Sequence, residues 1–260
     1  MLTFDAPPGE IELVLFSDLH VGDKRFDENK FNHYAEWILE NPNRFCLFNG
    51  DLLNNGIKSS VSDVYQEVIT PGEQPVYAAK LIAPLAERTI CITKGNHEHR
   101  TKKESDQNIT ETLALNLYKL TNVDIPIVDE GDFIRFRWGK RHNSKPWSAA
   151  LYVTHGAGGG ATVGSVANML SKIGNGILAR IYIASHRHIE LAYTDQLVMP
   201  DLRNKKEKRA ERLFVCTKSF LEWGGYAKRG LMPARGTGAP VITFAEDGRI
   251  WCNVGQYVTK

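Results

Sequence analysis

The chain is poor in cysteine, in net charge and in long apolar runs, and each shortage argues against a class of protein. Its four cysteines, Cys46, Cys91, Cys216 and Cys252, stand far apart with no C-x-x-C spacing, which argues against a zinc ribbon, a thioredoxin-type pair and a disulfide scaffold. Each lies in an apolar run that reads as a strand, so buried, reduced thiols are expected. Thirty-two basic residues against thirty acidic leave a formal charge of +2, and binding of a polyanion would have to come from local clusters. No window approaches eighteen uninterrupted apolar residues, and Met1 to Pro8 lacks the basic and apolar stretches of a signal peptide. The expectation is a soluble cytoplasmic protein with no membrane association. Internal repeats and low-complexity segments are lacking too.

What is present is alternation. Short apolar runs rich in β-branched residues recur at Ile11–Phe16, Arg44–Phe48, Thr89–Thr93, Ala149–Val153, Ile181–Ala184 and Leu213–Thr217. Between them, Asn29–Glu40, Val76–Glu87 and Thr110–Leu120 carry helical periodicity, the first with Phe31, Tyr34, Trp37 and Ile38 on one face. This pattern predicts a layered α/β protein. Near the end, Pro240–Phe244 and Arg249–Val254 flank Asp247-Gly248, a pair suited to a tight hairpin. With 260 residues, 42% of them apolar, the chain can form one sizeable core, and a single domain over residues 1–260 is expected.

Five apolar runs end in residues that bind metals: Asp18 and His20, then Asp51, then Asn96 and His97, then His155, then His186 and His188. In an open α/β sheet the carboxyl ends of strands face a common crevice, so residues far apart in sequence converge there. In D-x-H and H-x-H an extended backbone would turn both outer side chains the same way. Each residue alone reads as a helix cap or a solvated side chain. The recurrence does not, because six of the eight histidines, His99 included, follow such runs closely. His33 and His142 are left as ordinary surface residues. Carboxylate, imidazole and amide oxygen together suit Mn, Fe or Zn better than Cu(I) or Ca.

These segments resemble the calcineurin-like metallophosphoesterases through Ser17-Asp18-Leu19-His20, Asn49-Gly50-Asp51, Lys94-Gly95-Asn96-His97-Glu98, Thr154-His155-Gly156 and Ser185-His186-Arg187-His188. The resemblance implies a four-layer α-β-β-α sandwich of two mixed sheets with flanking helices, and a centre of two divalent ions, Mn²⁺ first with Fe, Zn or Ni as alternatives. Carried over motif by motif, Asp18, His20 and His188 would hold one ion, Asn96, His155 and His186 the other, with Asp51 bridging and His97 as an outer-sphere acid. Two positions depart from the pattern. Ser185 stands where the last motif usually has glycine, so its backbone must avoid glycine-only conformations. The second motif continues as Leu52-Leu53-Asn54-Asn55-Gly56, without the arginine by which the phosphoprotein phosphatases of this superfamily grip phosphate. Arg100 and Arg187 each read either as a substitute cation for phosphate or as a surface residue.

The implied activity is hydrolysis of a phosphate ester, with a phosphodiesterase or nuclease-like reaction first and a phosphomonoesterase second. A non-catalytic module on the same fold is a third reading, disfavoured because no ligand position is missing. Nucleic acid as a partner would rest on the basic run Arg203–Arg212 and on Trp223 and Tyr226 after it. That run reads more readily as a solvated loop or helix face. Gly156–Gly160 reads as a phosphate cradle, a lid or a plain tight connection.

Overall fold

The computed structural model describes residues 1–58, 60, 65, 67–140, 145–229 and 233–255, so His142 lies outside the described residues. Two six-stranded mixed sheets pack face to face. One has the strand order β12 (Ile250–Asn253), β11 (Val241–Phe244), β2 (Ile11–Phe16), β3 (Arg44–Asn49), β4 (Thr89–Thr93), β5 (Ile127–Val128). The other runs β1 (Leu2–Asp5), β6 (Asp132–Trp138), β7 (Trp147–Val153), β8 (Ile181–Ala184), β10 (Lys206–Cys216), β9 (Leu191–Asp201). Parallel neighbours β2, β3, β4 and β5 require crossovers. Helices α1 (Glu28–Leu39), α2 (Gln74–Ile82), α3 (Asn96–Ser105) and α4 (Ile109–Thr121) lie in these connections, and α5 (Val163–Gly176) joins β7 to β8. A short α6 (Gly225–Arg229) precedes β11.

Strand alternation sorts the core into layers. In β2, Ile11, Leu13 and Leu15 face the other sheet and meet Phe136, Leu151, Ile183 and Val215. Val14 and Phe16 point the opposite way, onto Phe31, Tyr34 and Ile38 of α1. There Phe16 stacks on Phe48 with ring centroids 5.2 Å apart, and each such fully buried ring contributes roughly 1.5–3 kcal/mol of burial. On the far side, Val166 and Leu170 of α5 cover Tyr182 and Phe214. The result is the expected helix–sheet–sheet–helix sandwich.

All four cysteines lie in strands as expected, three of them buried and Cys252 partly so. Burial pushes the thiols of Cys46 and Cys91 up to about 12, which keeps them protonated and inert. The helix expected over Val76–Glu87 is broken instead into α2 and a 3-10 turn, Ala83–Arg88. Pro84 has no N–H to continue the α-helical ladder. The basic run also differs from its expectation: residues 206–212 are neither loop nor helix but the outer half of β10, paired with β9 over eleven positions. Charge masked the strand, because the distal hairpin is solvent-facing and needs no apolar alternation there.

Candidate metal centre

The carboxyl ends of β2, β3 and β4 in one sheet meet those of β7 and β8 in the other, and each strand delivers part of the same cluster. Nε2 of His188 lies 3.1 Å from Asp18 Oδ1, and Nε2 of His20 lies 3.4 Å from Nε2 of His188. Asp51 Oδ2 is 3.2 Å from Nε2 of His155, and that nitrogen is 3.2 Å from Asn96 Oδ1. Ligand atoms lie within 4.8 Å of one another in each of three groups: Asp18, His20, His188; Asp51, His155, His186; and His20, Asp51, His97. Asp51 and His20 each belong to two groups. His99 is exposed and belongs to none, and His33 lies away on α1.

The backbone reaches this arrangement by a route that differs from extended D-x-H and H-x-H segments. Asp18, His20, Asp51, His186 and His188 all have φ between 50° and 71°, in the left-handed region. For residues other than glycine this costs roughly 1–2 kcal/mol each. Backbone hydrogen bonds hold the strain: Asp18 N–H donates to Gly50 O and His20 N–H to Asp51 O, both at 3.0 Å. Ser185, by contrast, has no positive φ, as its side chain requires.

Hydrogen bonds set the tautomers. His155 Nδ1 donates to Asn49 O at 2.7 Å, leaving Nε2 for the centre. His186 Nε2 donates to Gly158 O at 3.1 Å, leaving Nδ1. His97 Nδ1 donates to Asn54 O at 2.7 Å, so Nε2 faces Asp51 Oδ2 at 3.7 Å. Burial would raise the carboxyl of Asp18, yet the adjacent His188 ring holds it down at about 2. Asp51 is held well below the carboxylate range in the same way, chiefly by His155 against the effect of burial. Burial would lower His155, but the Asp51 carboxylate raises it to about 10. Burial drives His20 well below its ordinary value, and lowers His97 too.

The cluster has the chemistry of a cation site. Asp18 Oδ1 is buried with no well-aligned hydrogen bond, and His20 Nδ1 has no partner. Nε2 of His188 stands 3.4 Å from Nε2 of His20 and 3.1 Å from Asp18 Oδ1, so one cation could draw on all three atoms. Oxygen and imidazole donors of this mix fit divalent transition metals.

The profile of the calcineurin-like phosphoesterases matches residues 11–197. The chain belongs to that family. Its members bind divalent metals, in keeping with the three donor groups. Over 136 residues, 46% of this chain, the sequence is 30% identical to the DNA polymerase II small subunit of Pyrococcus horikoshii, and the match spans 21% of that relative. Among solved structures it is similar to Vacuolar Protein Sorting 29 of Cryptosporidium parvum, at 12% identity over 94% of this chain and 96% of that one, TM-score 0.44. It is also similar to the nuclease MPE of Pseudomonas putida, at 14% identity over 93% and 87%, TM-score 0.34.

This calcineurin-like chain supports its cluster with residues to which the motif reading assigned no role. Glu98 accepts backbone N–H bonds from Asp51 at 3.1 Å, Leu53 at 2.9 Å and Gly95 at 2.9 Å, tying two motifs together. Its place three residues after Gly95, at a helix start, was the available signal. A Cβ on Gly95 would lie 2.1 Å from Asp51 N, so only glycine permits that approach. Asn55 stands near the position of the absent arginine, and its Nδ2 donates to His97 O and Thr101 Oγ1, both at 2.6 Å. Asn49 Nδ2 donates to Ser185 Oγ at 2.6 Å, which gives the unusual serine a role. Thr217, just past β10, pairs with Ser17 at 2.5 Å, and Ser219 donates to Asp18 O at 3.0 Å.

The two candidate phosphate contacts lie on different elements, Arg100 on α3 and Arg187 in the connection from β8 to β9. Arg100 is half-buried on α3, with Nη1 3.5 Å from Ser60 Oγ. Arg187 donates to Gly160 O at 3.2 Å. The basic run is not at the centre: β10 approaches with Cys216, so Lys206 stands roughly 30 Å away at about 3.4 Å per residue. Trp223 is 43% exposed, and the side chain of Tyr226 lies outside the described residues. No helix among the described residues is long and apolar enough to cross a membrane.

Proposed function

We propose that this chain is a di-metal phosphoesterase that hydrolyses phosphodiesters. The observation that carries the reading is the sharing of Asp51 between two groups of donor atoms, one with His155 and His186 and one with His20 and His97, while His20 also belongs to the group of Asp18 and His188. Asn96 completes the set of His155 and His186 through its Oδ1, beside His155. Bound there, two divalent cations, Mn²⁺ first, supply Lewis acidity: they acidify water and offset charge on phosphoryl oxygens.

The protein's own groups do the rest. The low pKa values of Asp18 and Asp51 keep both carboxylates charged across the working range. The carbonyls of Asn49 and Gly158 hold His155 and His186 in fixed tautomers. As the water oxygen bonds to phosphorus and the ester P–O bond breaks, Nε2 of neutral His97 takes up the proton the water gives up and passes it to the departing oxygen, while its Nδ1–H stays on Asn54 O. Diesters are favoured over monoesters by charge. The second motif has Asn54 and Asn55 in place of the phosphate-gripping arginine, and a diester brings one negative charge where a monoester brings up to two. The stretch 30% identical to a DNA polymerase II small subunit supports nucleic acid as a substrate class.

The test is a panel on protein reconstituted with Mn²⁺: an aryl diester, an aryl monoester, cyclic nucleotides, and single- and double-stranded DNA and RNA. Two bound metals per chain with diester turnover above monoester turnover is the expected result. The reverse preference would make it a monoesterase, and an inability to bind metal would leave a non-catalytic module.

A further inference from the structure

Next to His155 and His186 is a cavity of about 490 Å³ that the hydrolytic step does not use. It lies between α5 and the loop following β7, and Arg187, the residue between His186 and His188, forms part of its wall. Its volume falls within the ~300–1,000 Å³ typical of small-molecule sites, and is more than a phosphate group alone requires.

The lining narrows the occupant. Tyr152, Met169 and Ile173 supply apolar surface, Asn168 an amide, and Lys172 and Arg187 two positive charges against the one carboxylate of Glu130. A lipid chain would meet these polar groups along its length. A sugar would leave hydroxyls facing Met169 and Ile173 without partners. A heteroaromatic base uses both kinds of surface, with its faces against thioether and aliphatic carbon and its edge on an amide. Arg187 is held in place, since Nη1 donates to Gly160 O at 3.2 Å and a Cβ on Gly158 would come within 3.2 Å of Nη2. Its guanidinium lies against the Gly158–Gly160 loop at the wall of the cavity, where a planar cation can meet an anionic oxygen.

We propose that this cavity is the subsite for the nucleoside part of the substrate, with the base between Met169, Ile173 and Asn168, and with Lys172 and Arg187 directed to oxygens of the ester. The inference rests on the phosphoesterase reading and extends it: the ester is a nucleotide one, recognised through the group that stays on phosphorus.

Two substrates with the same leaving group isolate that recognition, thymidine 5′-(4-nitrophenyl) phosphate and methyl 4-nitrophenyl phosphate. With Mn²⁺ protein, the nucleoside ester is expected to have a KM about ten-fold lower. Ile173→Trp, which fills the cavity, and Lys172→Ala should each remove most of that difference. Equal KM values in the parent, or a preference that survives both substitutions, would overturn the subsite. Should Ile173→Trp fail to fold by circular dichroism, Asn168→Ala at an exposed position replaces it. Equilibrium dialysis of thymidine 5′-monophosphate against metal-free protein provides a readout independent of turnover. If the parent hydrolyses neither ester, the phosphoesterase reading has failed and dialysis decides the subsite. Binding weakened several-fold by the substitutions supports it, whereas absent or unaltered binding overturns it.

Discussion

The Nδ1 of His155 donates to the carbonyl of Asn49 at 2.7 Å, and this one bond leaves Nε2 turned to Asp51 at 3.2 Å. Without metal, the Asp51 carboxylate keeps that nitrogen protonated, with a pKa of about 10 after the opposing effect of burial. The folded value lies above the ordinary ~6.5. The ion pair therefore stabilises metal-free protein fully below about pH 6.5, and its contribution is lost as pH rises through about 10. A metal must displace the same proton. Mn²⁺ affinity should therefore climb between pH 6 and 8, by up to about ten-fold per unit for each proton displaced. Isothermal titration calorimetry in buffers of different ionisation heat would count the protons, and a flat profile would exclude His155 as a ligand.

Asp51→Asn should abolish most turnover and lower occupancy at both positions together, because a neutral amide cannot supply the charge shared between the two donor groups. Metal analysis of the purified variant checks this. Near-normal turnover with two bound metals would remove Asp51 from the bridging role.

His97→Ala separates chemistry from binding. Its imidazole is anchored by Asn54 O and stands 3.7 Å from Asp51 Oδ2, slightly back from the closest donors. The variant should keep two metals and lose about 10²–10⁴-fold in kcat, the range for a positioned general acid. A loss of metal would instead place His97 among the ligands, as its grouping with His20 and Asp51 allows.

Neutralising Arg203, Lys205, Lys206, Lys208, Arg209 and Arg212 together should leave hydrolysis of a small aryl ester within about two-fold. The first five lie far along the hairpin, and Arg212 is engaged with Asp195 at 2.7 Å. A nucleic-acid substrate long enough to reach from the centre to the ribbon would bind more weakly, with a shallower salt dependence. Unaltered binding of such a polymer across a salt series would mark the ribbon as ordinary surface.

The recurrence of Asp, Asn and His after apolar strands was legible because strand ends converge and few other pressures put six histidines there. The layers were legible through the same strands. What sequence spacing could not convey was conformation: Asp18 and His188 hold left-handed backbone that no residue preference announces. The supporting contacts were hidden for another reason. Glu98, Asn55 and Thr217 act through backbone groups and partners tens to hundreds of residues away, and each reads locally as an ordinary cap or turn residue. Lys206–Arg212 was misread because β-pairing of a solvated ribbon needs only a partner strand, and β9 supplies it without an apolar pattern.

Asp18, Asp51 and Asn49 extend from one sheet, whereas His188, His155 and Ser185, which they contact, extend from the other. The centre thus lies across the seam of the sandwich and fastens its two halves at one end. Stripping the ions would leave the Asp18–His188 and Asp51–His155 pairs and the Asn49–Ser185 bond to hold that seam alone, and the sheets would loosen there before the apolar interior between β2 and β7 gave way. Hydrogen exchange at the Asp18, Asp51 and His155 turns should accelerate on chelation while the amides of Leu13 and Leu151 stay protected. A family member that gave up its chemistry would still need some other rivet in the same place.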